Sequence, residues 1–225
     1  TSDSGIMYGI NTHNNSLILF DRFNLNTYNS VIFGQAGGGK SYTIKLEILR
    51  NLMFGVQVFV IDPEYEYKHL AEVVGGTFVK ISISSSEHIN PFDLPRPMPD
   101  ENNSDVFRSH VLSLTGLIKI MVGQTTPQED AIIDEALIQT YALKDINTDS
   151  DFSKVASPLL SDFQSILEGM SGAESLVIRI KKYTEGTFSG FLNQPTNITL
   201  DNQLIVFNVR DMEEELRPIA MYVVL

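Results

Sequence analysis

Eight consecutive residues constrain this chain more than any others: Gly34-Gln35-Ala36-Gly37-Gly38-Gly39-Lys40-Ser41. They fit the pattern G-x-x-x-x-G-K-[ST], a loop that wraps phosphate. Wrapping an anion requires several successive N–H groups to point inward, through backbone conformations that Gly reaches at little cost. A helix starting at Gly39-Lys40 adds its unpaired N–H groups and its dipole. In this reading Lys40 supplies positive charge to the β- and γ-phosphates and is the catalytic cation. The Ser41 hydroxyl is the protein ligand to Mg²⁺. Gly34, Gln35, Ala36, Gly37, Gly38, Gly39, Lys40, Ser41 and Tyr42 form the expected cradle for ATP or ADP. A ligand-free turn between a strand and a helix needs neither four glycines nor the Lys-Ser pair.

The surroundings of the loop predict an α/β fold. Leu17–Phe20 and Val31-Ile32-Phe33 are short apolar runs that predict strands, the second leading straight into the loop. From Lys40 to Met53, the residues Ile44, Leu46, Ile48, Leu49 and Leu52 recur with mostly helical spacing, and Gly55 follows as a stop. Val56–Ile61 is β-branched and apolar, a buried strand. Tyr67–Val74 predicts a short helix ended by Gly75-Gly76, and Thr77–Ile81 another strand. Strand and helix alternating through short connections imply a mostly parallel sheet.

The pattern changes after Asn90-Pro91-Phe92-Asp93-Leu94-Pro95. Val106–Met121, a segment opening at Pro127-Gln128-Glu129-Asp130, Ser161–Leu167 and Ala173–Tyr183 all predict helices. Leu204–Val209 then returns as a buried strand, and Pro218 opens a last helix. The expected organisation is an α/β core over residues 1–98, a helical insert over 99–191, and a return to the core over 192–225.

Composition narrows the function classes. The chain has 225 residues, no Cys and a net charge of −12. Lack of Cys excludes disulfides, thiolate metal sites and a Cys nucleophile. The acidity argues against a wholly basic nucleic-acid binder, though not against a local basic channel. It is uneven: residues 1–100 carry −3 and residues 101–225 carry −9. No apolar run approaches the ~20 residues of a membrane span. A polar opening, Thr1-Ser2-Asp3-Ser4, and an ending within the apolar Ile219–Leu225 suggest a piece of a longer polypeptide.

A second group of candidates follows the strand after the loop helix: Asp62-Pro63-Glu64-Tyr65-Glu66-Tyr67. Ligands of open α/β sheets bind beyond the carboxyl ends of the strands. Asp62 and Glu64 share that rim with the loop if Val56–Ile61 lies beside Val31–Phe33. Glu64 is then a catalytic candidate that orients water or metal near the γ-phosphate. The alternative is that Asp62 caps the next helix, and the two roles are compatible. Phosphoryl transfer also calls for an apolar strand ending in Asp, usually followed by Glu. Val58–Asp62 fits only formally, and Asn208 interrupts Leu204–Val209, so that strand is expected after residue 225. Arg179, Lys181 and Lys182 form the one basic cluster, read as a solvated helix face, with contact to nucleic acid or a neighbouring subunit as the alternative. Arg210 and Arg217 fit local salt bridges with Glu213–Glu215, or an arginine finger towards a neighbouring subunit. His13, His69, His88 and His110 lack metal-ligand spacing. Tyr8, Tyr65 and Tyr67 suit core packing or a base stack.

Together these segments resemble the VirB-component-four family, the TraC/TraE-type ATPases of type IV secretion and conjugation. The resemblance is carried by Gly9-Ile10-Asn11 with Asp21-Arg22-Phe23, by Asn29–Ser41, and by Val60–Tyr67 with its Asp-Pro-Glu-x-Glu-Tyr run. Ile89-Asn90-Pro91-Phe92-Asp93, Tyr183, Gly186, Phe188, Val206–Val209 and Leu216-Arg217-Pro218 continue it. It implies a P-loop NTPase core akin to the HerA/FtsK branch with an all-helical insert. It also implies Mg²⁺-ATP hydrolysis and homo-oligomers, hexameric when assembled. The implied partners are other secretion components, including a coupling protein, with DNA as a further candidate. The expected location is the cytoplasmic face of the inner membrane. The competing readings are a DNA-translocating motor and a non-hydrolysing assembly module.

Overall fold

The computed structural model describes residues 5–148, 150–152 and 154–224. The polar opening Thr1–Ser4 and the final Leu225 lie outside the described residues. The chain forms two compact units. One comprises residues up to Val79 with Thr199–Asn208, and the other comprises Lys80–Ile198 with the residues from Val209 onward.

The first unit opens with an antiparallel hairpin of β1 (Ile6–Ile10) and β2 (Leu17–Phe20). The loop helix α1 (Lys40–Leu52) follows, then β3 (Val58–Asp62), α2 (Lys68–Val74) and β4 (Thr77–Lys80). The strand β5 (Leu204–Asn208) returns from far along the chain and lies between β3 and β4. It runs parallel to β3, with Val58 opposite Leu204 and Asp62 opposite Asn208. All five β5 residues are buried, as the sequence Leu-Ile-Val-Phe-Asn demands of a central strand. Ile48 of α1 and Ala71 of α2 pack with Leu204 and Val206 to form the core of this unit. Gly76 is required there, because a Cβ would meet the Leu204 carbonyl oxygen at 2.6 Å.

Val31-Ile32-Phe33 departs from expectation and forms no strand. A strand persists only where a neighbour completes its hydrogen bonds. The sheet order β3-β5-β4 gives this segment no such neighbour among the described residues. Val31 and Phe33 are accordingly 75% and 89% exposed. Nor does β3 pair with it, so the strand pairing expected to set Asp62 and Glu64 on one rim with the loop is not formed. Ile32 and β3 instead both line one cavity of about 810 Å³.

The second unit is helical: α3 (Asn103–Val122), α4 (Pro127–Ala142), α5 (Leu160–Glu168), α6 (Glu174–Thr184), the single turn α7 (Ser189–Leu192) and α8 (Arg217–Val224). Its helices start and stop where their side chains dictate. Asn102 caps α3 by accepting from the Ser104 N–H, and Gly123, at a positive φ of 79° that favours glycine, ends it. Thr126 and Glu129 form a capping box around Pro127 at the start of α4. Leu117, Ile118, Ile133, Leu137 and Phe163 are buried at 2% exposure or less. The Asn-Pro-Phe segment anchors to them: Phe92 is fully buried, its ring 6.2 Å from those of both Tyr141 and Phe163. Asn90 holds the turn by donating to the Pro158 carbonyl and accepting from the Phe92 N–H. That motif is a packing device.

Candidate nucleotide-binding site

The loop is built by its glycines and closed by its lysine. Gly37 and Gly39 have φ of +75° and +83°, a region that costs an L side chain roughly 1–2 kcal/mol. Between them the Gly38 N–H donates to the Gln35 carbonyl at 3.0 Å, making a tight turn. A Cβ on Gly38 would press on that carbonyl at 3.0 Å. The Lys40 ammonium reaches back from the first position of α1 to the Gly34 carbonyl at 2.7 Å and the Gln35 carbonyl at 3.1 Å. It is thus held beside the whole span from Gly34 to Lys40. Ala36 lies in the exposed middle of that span.

The start of α1 suits an anion. Gly39 precedes the helix in a left-handed conformation and offers no side-chain cap. The N–H groups of the first turn have no carbonyl ahead of them in the helix, so they point outward with the positive end of the dipole. Ser41 is half-buried in this turn, and Tyr42 is 68% exposed. Thr43 closes the turn, its N–H and hydroxyl both donating to the Gly39 carbonyl. The residues present therefore fit a phosphate chain. They fit Mg²⁺ with Ser41 as the one protein ligand, as is usual when phosphate oxygens and waters supply the rest. Among the described residues no cluster of three His, Asp or Glu side chains could hold a metal by itself.

The acidic group after β3 is also ordered. Asp62 is 1% exposed and both its carboxylate oxygens are occupied. One accepts the Glu64 N–H at 3.2 Å and the other the Tyr67 N–H at 3.0 Å. Asp62 does not cap α2: that helix begins at Lys68 after Tyr67 and has no side-chain cap. Pro63 and Glu64 therefore lie outside its first turn, and Asp62 instead closes the turn from β3 to Tyr67. Tyr65, at the apex, has φ of +65°, a strained position for an aromatic residue. Its ring stacks edge-on against Phe78 at 5.5 Å. Glu64 and Glu66 are exposed, and among the described residues the Glu64 carboxylate makes no hydrogen bond or ion pair. Burial, then the charges of Glu66 and Asp62, raise the Tyr67 phenol, over whose ring the Lys45 ammonium lies at 5.1 Å.

The remaining candidates serve packing and pairing. Tyr8 stacks edge-on with Phe20 and accepts a hydrogen bond from Arg22, which also pairs with Glu47 of α1. Arg179 donates to the carbonyls of Val122 and Gln124 and pairs with Glu129. Lys181 pairs with Glu185, and Lys182 with Glu215. The basic cluster is thus internally neutralised. Neither Arg210 nor Arg217 forms the expected ion pair with Glu213–Glu215 among the described residues; Glu215 is taken by Lys182, which is spatially closer. Sequence reasoning missed Asn208. It is fully buried and donates from Nδ2 to the Asp62 carbonyl at 2.8 Å. The available signal was a lone amide in an apolar strand.

A glycine-built loop, a lysine folded over it and an uncapped helix start beside a buried parallel sheet define a P-loop NTPase domain. The family model of the TraG P-loop domain matches residues 19–225, and the chain belongs to that family. Among solved structures it is similar to VirB4 of Thermoanaerobacter pseudethanolicus, with a TM-score of 0.83 and 26% identity. All of the chain is covered in that match, and it spans 62% of the VirB4 chain. No curated protein matches the chain. The two findings place it among the P-loop domains of the TraG and VirB4 kind.

Proposed function

We propose that the protein containing this chain hydrolyses ATP to energise substrate transfer or pilus assembly in a type IV secretion system. It would work as a homo-oligomer, hexameric when assembled, at the cytoplasmic face of the membrane beside other secretion components. The observation that carries the reading is the Lys40 ammonium, held beside a glycine-built loop at an uncapped helix N-terminus.

Magnesium-bound ATP supplies the phosphoanhydride bond to be broken and a cation that neutralises part of its charge. Lys40 exchanges its two carbonyl contacts for β- and γ-phosphate oxygens and stabilises charge as the terminal bond breaks. The loop N–H groups from Gly34 to Ser41 would fix the phosphates, and the Ser41 hydroxyl oxygen would be the protein ligand to the metal. Tyr42, exposed on the first turn, flanks the phosphates. Glu64 orients the attacking water and accepts its proton as oxygen bonds to the γ-phosphorus.

Lys40→Ala in the full-length protein tests this. ATP turnover should fall by about a hundredfold or more, with the circular dichroism spectrum unchanged. Turnover at the wild-type rate would overturn the assignment.

A further inference from the structure

The turn carrying Glu64 rests on two groups that cannot themselves reach a nucleotide. Asp62 spends both carboxylate oxygens on the Glu64 and Tyr67 N–H groups. Its own carbonyl is held from the neighbouring strand by Asn208 Nδ2. Because that carbonyl can only accept, the bond also fixes the orientation of the amide. The other amide atom, Oδ1, is buried and has no hydrogen-bond partner among the described residues. Asn208 itself is fully buried, in a strand whose other residues are Leu, Ile, Val and Phe.

An unpaired buried acceptor is unfavourable for folding, and an isosteric Leu would remove it. Leu would also take the Nδ2 donor from the Asp62 carbonyl, so the two effects on stability oppose each other. What the amide specifically supplies is the position of that carbonyl. The amide's one bond locks the carboxyl end of β3 to that of β5, in the register where Asp62 faces Asn208. From that locked point Asp62 holds the turn through Tyr65 at φ +65°. Strain of this kind persists only where surrounding contacts enforce it.

We propose that Asn208 and Asp62 are positioning residues for the Glu64 carboxylate. Asn208 fixes the end of β3, Asp62 fixes the turn, and Glu64 is thereby presented at one place on the sheet's carboxyl rim. This rests on the reading of Glu64 as the residue that orients the attacking water. It extends that reading to a buried residue 144 positions away in the chain.

The test uses Asn208→Leu, Asp62→Asn and Glu64→Gln in the full-length protein. Steady-state ATP turnover, affinity for a fluorescent non-hydrolysable ATP analogue, and thermal melting are measured for each. Displacing a reacting group by about an ångström costs up to about a hundredfold. Asn208→Leu and Asp62→Asn should therefore each lower kcat at least about tenfold. KM and analogue affinity should stay within about threefold. The melting temperature of Asn208→Leu should stay close to that of the wild type, because loss of the Nδ2 bond and removal of the unpaired Oδ1 offset each other. If that variant fails to fold, Asn208→Ser takes its place with the same expected kcat and KM. Should Glu64→Gln abolish turnover while the Asn208 and Asp62 variants run at the wild-type rate, the positioning role is overturned and the Glu64 reading stands. Should Glu64→Gln itself turn over normally, the Glu64 reading fails and the positioning role with it. Loss of analogue binding together with a lower melting temperature in the Asn208 variants would show a merely structural role.

Discussion

Both units have a buried core, but they differ in how much apolar surface lies around the elements that carry the candidate site. In the helical unit, Ile118, Ile133, Leu137, Leu160 and Phe163 are 0% exposed and the helices share one filled core. In the α/β unit, Phe33, Met53, Phe54 and Phe59 are 89%, 84%, 71% and 54% exposed. Its α1 and β3 border a cavity of about 810 Å³, walled by residues such as Ile44, Ile48, Phe59 and Ile61. The phosphate loop and the Asp62 turn belong to the second kind of structure. Their geometry comes from glycine conformations, main-chain hydrogen bonds and one buried carboxylate. The helical unit depends on volume and contact, the loop on directed polar groups.

The largest expected effect follows from that contrast. Phe92→Ala removes a fully buried ring from between Tyr141 and Phe163. It should cost about 3–5 kcal/mol of stability in a urea titration followed by circular dichroism. Phe33→Ala, the same change at an exposed ring beside the phosphate loop, should stay within about 0.5 kcal/mol. Equal costs at the two sites would erase the distinction between the units.

The same contrast explains how far the sequence could be read. The helices α3 to α6 were legible because each carries its own apolar period and, in α3 and α4, its own cap. Gly34–Ser41 was legible because phosphate wrapping leaves little freedom in residue type. Val31–Phe33 misled because a strand is a property of pairs, and an apolar triplet does not reveal whether a neighbour is present. The pairing of β3 with β5 joins residues more than 140 positions apart, which no local pattern encodes. Asp62 left two roles open because capping and catalysis both use a carboxylate after a strand. The two backbone N–H groups it meets, those of Glu64 and Tyr67, give it a third role, closing a turn that ends before α2 begins.

A buried histidine extends the comparison to pH. In the helical unit His110 Nε2 lies 2.8 Å from the Tyr141 hydroxyl, which donates to the Phe92 carbonyl. Burial lowers the His110 pKa to about 4, while the Phe92 backbone and the charge of Asp93 act weakly the other way. The unfolded chain then takes up a proton below about pH 6.5 that the folded chain refuses. Stability should be complete above pH 6.5 and fall as the pH drops towards 4, by roughly 3 kcal/mol at most. Urea titrations at pH 7.5 and 5 check this, with His110→Gln expected to flatten the difference. A wild-type curve that is flat over this range would place His110 in contact with water.

The smallest effect concerns two helix starts that solve the same problem differently. Each leaves N–H groups without partners in its first turn. At α4 the protein answers with its own side chains. The Thr126 hydroxyl accepts the Glu129 N–H, Glu129 accepts the Thr126 N–H, and Arg179 ties that carboxylate to the carbonyls ending α3. At α1 the residue before the helix is Gly39, and no side chain answers. Thr126→Ala should therefore cost about 1 kcal/mol whether or not nucleotide is present. The start of α1 should instead gain its missing partners from a ligand. In the full-length protein, Mg²⁺-ATP should raise the melting temperature of the wild type and of Thr126→Ala by the same increment. That increment should vanish in Lys40→Ala. An increment that shrank with Thr126→Ala and survived Lys40→Ala would put the anion at α4 and reverse the roles of the two helix starts.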